Sequence, residues 1–296
     1  MKWTVLSDNR SDDGCLSTEH GLAILLETTN EREQCDAVCF AEREEVRRGL
    51  TEWHKVLLDT GASDAFVRNA DSLGVNLSDV EYVFISHGHG DHAGGLRYFL
   101  ERNQYAKVFV SPDAIGGKFF SKRGNMHGIS TDWSEIDDKR LIKISQTCEI
   151  AKGMYVIAHI PQIHSMPKGN RHLFVKDANG EYVFDDFRHE LALYADGLLF
   201  TGCAHSGLEN ILAACPWPVR MVVGGFHLLD GCETEEELTA LAQRLKEKYP
   251  LTQFHTSHCT GDGVVKVMKS VMGEQLLSFH CGTVSCINIG CYDESK

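Results

Sequence analysis

The chain has 296 residues, 43% hydrophobic and 24% charged, enough to bury a sizeable core as one large domain or two. A net charge of −13 argues against a broad nucleic-acid footprint or an anionic membrane surface, although a metal centre could still draw in an anionic substrate. No apolar run reaches the ~18 residues that cross a bilayer, no signal-peptide pattern opens the chain, and eleven cysteines in that setting read as thiols or ligands in a reducing cytoplasm.

Residues 2–6 and 22–27 read as strands joined by a polar link. Residues 31–52 are charge-dense and read as an exposed excursion; Cys35 and Cys39 within it have helical i,i+4 spacing and could bind a metal, but no second cysteine pair lies nearby. Residues 54–61 form a strand ending at Asp59-Thr60-Gly61, followed by a helical face over 62–73. Asp59 fits two roles there, a helix cap or a group that orients a metal-bound histidine. A buried strand at 82–85 then runs into Ser86-His87-Gly88-His89-Gly90-Asp91-His92-Ala93-Gly94-Gly95, and a helix follows to about 103. Three imidazoles and a carboxylate within six residues are good ligands for zinc and its first-row neighbours. The interleaved glycines let the backbone wrap tightly enough for those side chains to converge.

A strand at 107–110 precedes a glycine-rich polar stretch, 111–140, expected as a long loop or flap carrying Lys118, Lys122, Arg123 and His127. Strands follow at 141–144, 155–160 and 173–175, and two more at 191–195 and 198–201 flank the hairpin turn Asp196-Gly197. The second of these enters Thr201-Gly202-Cys203-Ala204-His205-Ser206-Gly207 ahead of a helix. A strand over 220–227 ends on His227, Thr234 caps a helix over 235–248, and a strand at 252–256 leads to Ser257-His258-Cys259-Thr260-Gly261 and a further helix. Alternating strands and helices give an α/β fold. Four strand ends carry His87, His89, Asp91 and His92, then His205, His227 and His258, and such ends are where open α/β sheets collect their sites. A shared metal site follows, with two ions rather than one, because the first motif offers four ligands that cannot all reach one ion from so short a turn.

His87-Gly88-His89-Gly90-Asp91-His92 resembles the His-x-His-x-Asp-His signature of the metallo-β-lactamase superfamily, and Leu57-Leu58-Asp59-Thr60-Gly61 its preceding strand and aspartate. With Glu19-His20-Gly21-Leu22, Thr201-Gly202-Cys203-Ala204-His205, Gly224-Gly225-Phe226-His227-Leu228 and His258-Cys259-Thr260-Gly261, the pattern is similar over nearly the whole chain to the branch named for dihydropterin–ribofuranosylaminobenzene 5′-phosphate synthase. The resemblance implies a single four-layer αββα sandwich over 1–296, with the 111–140 insertion and two divalent metals, usually zinc, at one edge of the sheets. It assigns His87 and His89 to the first metal, Asp91 and His92 to the second, and His258 as the last histidine ligand. His227 competes for that role and otherwise contacts substrate; Asp91 and His227 are the catalytic candidates. Where most members bridge the metals with an aspartate after Thr-Gly, this chain has Cys203; His205 is taken as the missing imidazole, ahead of Cys203.

The implied activity is cleavage of an ester or phosphoester of a small molecule by a metal-bound hydroxide. Helix N-termini after residues 206 and 262 could add donors for an anionic group, and Lys118, Lys122, Arg123, Lys168 and Arg171 are candidate phosphate contacts. The alternative is the transferase of the branch name, joining a dihydropterin diphosphate to the aminobenzene ribonucleotide with release of diphosphate. A third class is a metal or redox sensor using Cys281, Cys286 and Cys291, whose spacing suits neither a zinc knuckle nor a CxxC pair. His20, His159, His164, His172 and His189 stay unassigned.

Overall fold

The structure, a computed structural model, describes residues 1–28, 54–134, 136–229 and 232–287. The charge-dense 31–52 segment with Cys35 and Cys39, and also Cys291, lie outside the described residues.

In chain order the first half comprises β1 (Lys2–Ser7), β2 (Ala23–Thr28), β3 (His54–Leu58), α1 (Ala65–Ser72), β4 (Tyr82–Phe84), α2 (Gly90–Ala93), α3 (Leu96–Arg102), β5 (Lys107–Val110), α4 (Pro112–Gly116), β6 (Phe119–Ser121), β7 (His127–Gly128) and β8 (Leu141–Lys143). The second half adds β9 (Cys148–Ala151), β10 (Met154–Ile157), β11 (Leu173–Lys176), β12 (Tyr182–Phe184), β13 (Ala192–Ala195), β14 (Leu198–Phe200), α5 (Leu208–Ala214), β15 (Met221–Val223), α6 (Glu235–Lys248), β16 (Gln253–Thr256), α7 (Asp262–Met272), β17 (Leu276–Ser278) and β18 (Val284–Cys286). Two large sheets run in the orders β18-β1-β2-β3-β4-β5-β8 and β17-β16-β15-β14-β13-β10-β9. In the first, β3, β4, β5 and β8 are parallel; in the second, β14, β15, β16 and β17 are.

The period-2 alternation of each strand builds four layers. Val56, Leu58, Phe84 and Phe109 of the first sheet face Leu198, Phe200, Met221 and Val223 of the second, in one buried cluster between the sheets. The residues between them point outward: Leu57, Val83 and Val108 pack with Phe66, Leu96 and Phe99 of α1 and α3. On the far side, Leu199, Val222 and Phe254 pack with Ile211, Leu238 and Met268 of α5, α6 and α7. The result is an αββα sandwich.

Local chemistry agrees with this layout. Asp196 and Gly197 both take positive φ (48° and 93°), the two-residue type I′ turn that suits the twist of β13 and β14. Thr234 and Glu237 form a reciprocal capping box at the start of α6. The 111–140 stretch, expected as a loop, instead carries α4, β6 and β7, and these strands join β11 and β12 in a small sheet of order β12-β11-β6-β7. Its strands are only two to four residues long, and β7 and β12 are wholly exposed, so no buried stripe marked them in the sequence. No helix among the described residues is long and apolar enough to cross a membrane.

Candidate metal centre

The parallel strands of both sheets end at one place. From the first sheet come Asp59 after β3 and residues 86–92 after β4; from the second come residues 201–205 after β14, 224–227 after β15 and 257–258 after β16. Asp59, Ala204, His227 and His258 take left-handed backbone (φ 50–57°), a conformation that costs a non-glycine residue and persists where its surroundings fix it.

At Asp59 and His258 those surroundings include hydrogen bonds to the Nδ1 face of histidines. The His92 Nδ1 donates to Asp59 Oδ2 at 2.6 Å. Ser86 also gives Asp59 its backbone N–H (2.7 Å) and its hydroxyl (2.7 Å), which leaves the Ser86 oxygen to accept from His87 Nδ1 at 2.9 Å. One carboxylate thus sets the tautomer of two histidines, and Asp59 orients them rather than capping α1, whose N-terminal residue is Asp64. In the same way His205 Nδ1 donates to Asn170 Oδ1 (3.2 Å) and His258 Nδ1 to Asn9 Oδ1 (3.1 Å). Each of these four rings therefore turns Nε2 inward.

The inward atoms form two groups. In the first, the rings of His87, His89 and His205 sit at 4.6, 4.9 and 4.9 Å from one another, and all three Nε2 atoms are buried without a hydrogen-bond partner. A buried polar atom left unpaired costs about 1–3 kcal/mol, so three such neighbours fit a bound cation, for which neutral imidazole is the usual ligand. The His87 ligand atom lies within 4.8 Å of those of His205 and Cys203 and of those of His89 and Asp91. Burial, helped by neighbouring histidines, pushes the imidazoles of His87 and His205 well below their ordinary range and so keeps them neutral. In the second group, Asp91, His92, Cys203 and His258 bring their ligand atoms within 4.8 Å of one another. Cys203 Sγ lies 3.0 Å from His92 Nε2, and Asp91 Oδ2 lies 3.4 Å from His258 Nε2. Burial opposes ionisation of Asp91, but His92 and His258 outweigh it and hold the carboxyl well below the usual range. Cys203 also groups with His87 and His205, and Asp91 with His87 and His89, so a sulfur and a carboxylate both reach across the two groups. Sequence reading set Cys203 behind His205; in the fold the two residues do different things, His205 completing the first group and Cys203 standing between the groups.

The centre forms the floor of a cavity of about 760 Å³ whose walls include His20, Arg97, Arg123, Ile129 and His227. The small sheet supplies one wall and is pinned to the histidine turn, where Gly90 N–H donates to Ile129 O at 2.7 Å. His227 rests 4.1 Å from the His205 ring; its Nδ1 is buried and unpartnered, and its Nε2 is 3.5 Å from an Arg123 nitrogen.

Every site residue read from the sequence thus lies at this centre. Of the proposed phosphate contacts only Arg123 lines the cavity; Lys168 pairs with Glu237 at 2.5 Å beside a separate cavity of about 500 Å³. Neither α5 nor α7 turns its first residues into the main cavity. Cys281 is buried and Cys286 exposed, and neither joins a ligand group among the described residues. Sequence reasoning missed Arg97, and it left His20 and His189 unassigned. His20 stacks on His258 at 4.7 Å. His189 accepts from Gly88 N–H at 3.1 Å and donates to Asp185 at 3.1 Å, holding the loop between the first two histidines. Glu190, buried, accepts from the N–H groups of His205 and Ser206 at 2.7 and 2.6 Å. These contacts span many residues of sequence and leave no local signal.

A family model described as the metallo-beta-lactamase superfamily matches residues 51–138. An uncharacterized protein of Methanocaldococcus jannaschii is 28% identical over 217 residues, 71% of this chain and 73% of its own length. A second protein of that organism, named 7,8-dihydropterin-6-methyl-4-(β-D-ribofuranosyl)-aminobenzene-5′-phosphate synthase, is 23% identical, covering 95% of each chain. Among solved structures, a metal-dependent hydrolase of the β-lactamase superfamily aligns with 27% identity and a TM-score of 0.75, over 97% of this chain and 99% of that one. A diphosphatase from the PhnP family, 10% identical with a TM-score of 0.51 over 97% and 98% of the two chains, shares the fold.

Proposed function

From the premise that this chain belongs to the metallo-β-lactamase superfamily, we propose that it is a dinuclear metal-dependent hydrolase that cleaves an ester or phosphoester of a small molecule. The observation that carries the reading is the pair of adjoining ligand groups, linked through Cys203 and Asp91, on the floor of an open cavity. His87, His89 and His205 would hold one divalent ion and Asp91, His92 and His258 the other, with Cys203 between them; zinc suits this mixed nitrogen, oxygen and sulfur set. Bound there, the ions would supply Lewis acidity and bring the pKa of a coordinated water toward ~7.

The protein's own groups do the rest. Asp59 and Asn170 hold three of the ligand rings in one tautomer, so the site needs little reorganisation when charge develops. Arg97 and Arg123 on the cavity wall favour an anionic substrate and orient it. His227 is placed to contact the substrate beside the first ligand group, and the small sheet limits the access of bulk water. The similar hydrolase, at 27% identity over nearly its whole length, supports this reading.

The relative named as a synthase supports a second one, transfer of a dihydropterin from its diphosphate to an aminobenzene ribonucleotide, in which the two arginines would face the departing diphosphate. Metal content and turnover, measured on wild type and a His89→Ala/His258→Ala variant, test both. About two metals per chain in the wild type, lost in the variant together with phosphodiester, thioester or lactone cleavage, is the result expected of the hydrolase. Metal-dependent diphosphate release that requires both pterin and aminobenzene partners would replace it with the transferase. A wild type that binds no metal would overturn both.

A further inference from the structure

Cys259 lies one residue beyond His258, and it has no part in the ligand scheme above. Its sulfur points at the sulfur of Cys203, 3.3 Å away. Both residues are buried, at 4% and 2% exposure, yet both border the main cavity, so a molecule the size of water can reach them. The turns that carry them are tied together: Gly225 N–H donates to Gly202 O at 2.6 Å, and Leu228 N–H to Cys259 O at 3.0 Å. The Cys259 sulfur accepts the backbone N–H of His227 at 3.3 Å, which holds it in place facing Cys203. A disulfide bond is about 2.05 Å long, so the two sulfurs need to close by little more than an ångström.

We propose that Cys203 and Cys259 form an oxidisable dithiol whose co-reactant is a hydroperoxide. The Cys259 sulfur attacks the terminal peroxide oxygen; an S–O bond forms, the O–O bond breaks, and the departing oxygen leaves as an alcohol, or as water from hydrogen peroxide, with the thiol proton. The Cys203 sulfur then attacks the sulfenic sulfur, the S–O bond breaks, and water leaves with the second thiol proton. Two thiols are oxidised to a disulfide and one peroxide is reduced. The consequence for the centre rests on the ligand scheme proposed above: a disulfide takes the Cys203 sulfur from both groups and releases metal.

The test is to titrate the full-length protein, with the metals it carries when purified, with hydrogen peroxide. Non-reducing peptide mass spectrometry and a chromogenic chelator follow the products, before and after dithiothreitol. A Cys203–Cys259 cross-linked peptide, loss of two hydrogens from the intact mass and reversal by dithiothreitol are the expected results. A Cys259→Ser variant should bind metal as wild type does but form no cross-link, so that oxidation of Cys203 proceeds to acids dithiothreitol does not reverse. Cross-linking with full retention of metal would uphold the dithiol and remove Cys203 from the ligand scheme. Peroxide that oxidises exposed Cys15 and Cys286 while leaving Cys203 and Cys259 unlinked would overturn the proposal.

Discussion

Asp59 shows how much a single side chain can organise. Its carboxylate orients His92 directly and His87 through the Ser86 hydroxyl, so it acts on both ligand groups. Asp59→Asn keeps the shape but cannot accept from all three donors; metal affinity or turnover should fall about 10–100-fold, read by chelator competition and kcat/KM. The sequence brought Asp59 only to two alternatives, because Ser86 and His92 choose between them from 27 and 33 residues away. His87, His89, Asp91 and His92 were legible because their spacing lies within one turn. His255 carries a different lesson. Burial lowers its pKa to about 4, its Nε2 has no partner, and it packs against Trp3 with ring centres 5.2 Å apart. The unfolded chain therefore binds the proton more readily, and this contribution to stability is lost as pH falls from about 6.5 toward 4. Between pH 7.5 and 5 the wild type should lose up to about 2 kcal/mol more than His255→Leu, measured from urea midpoints.

At the scale of elements, the site depends on turns more than on strands. Gly95, between α2 and α3, has no room for a Cβ, which would strike the carbonyl oxygens of Thr60 and Ser63. Gly95→Ala should therefore cost about 1–3 kcal/mol and push the Asp91–His92 turn away from its partners. Chemical denaturation and metal titration of the variant would register both effects, and unchanged values would show that the turn has slack. Thr234 and the Asp196-Gly197 hairpin were readable because a cap and a type I′ turn are local signals. β12 was not readable: its three residues are all exposed, and its apolar side chains have no polar partners in alternation. The strand expected over 220–227 is only Met221–Val223, because the chain turns at Gly224 to deliver His227.

The described residues form two large sheets with helices outside and a small third sheet, and the candidate centre draws side chains from both large sheets. His87, His89, Asp91 and His92 come from the end of the first sheet; Cys203, His205 and His258 come from the second. The sandwich was legible once the histidine turns were seen, but the small sheet at the cavity was not, because it is stitched from segments some 50 residues apart. Exhaustive chelation should lower the thermal midpoint while far-ultraviolet circular dichroism at 25 °C stays unchanged, since the buried clusters between and outside the sheets persist without metal. Loss of secondary structure on chelation would mean instead that the metals hold the two sheets together.

The meeting of ligands from both sheets has a kinetic corollary. The four candidate ligands after β4 are close in sequence and would capture an ion while the chain is still incomplete, whereas Cys203, His205 and His258 arrive more than a hundred residues later. An ion caught early would be held by a partial and exchangeable set, and it would be locked in only when the second sheet closes. Selection among competing ions would then fall to the final docking of the two halves, so the history of a chain during synthesis, as well as its equilibrium affinities, would decide which metal it keeps.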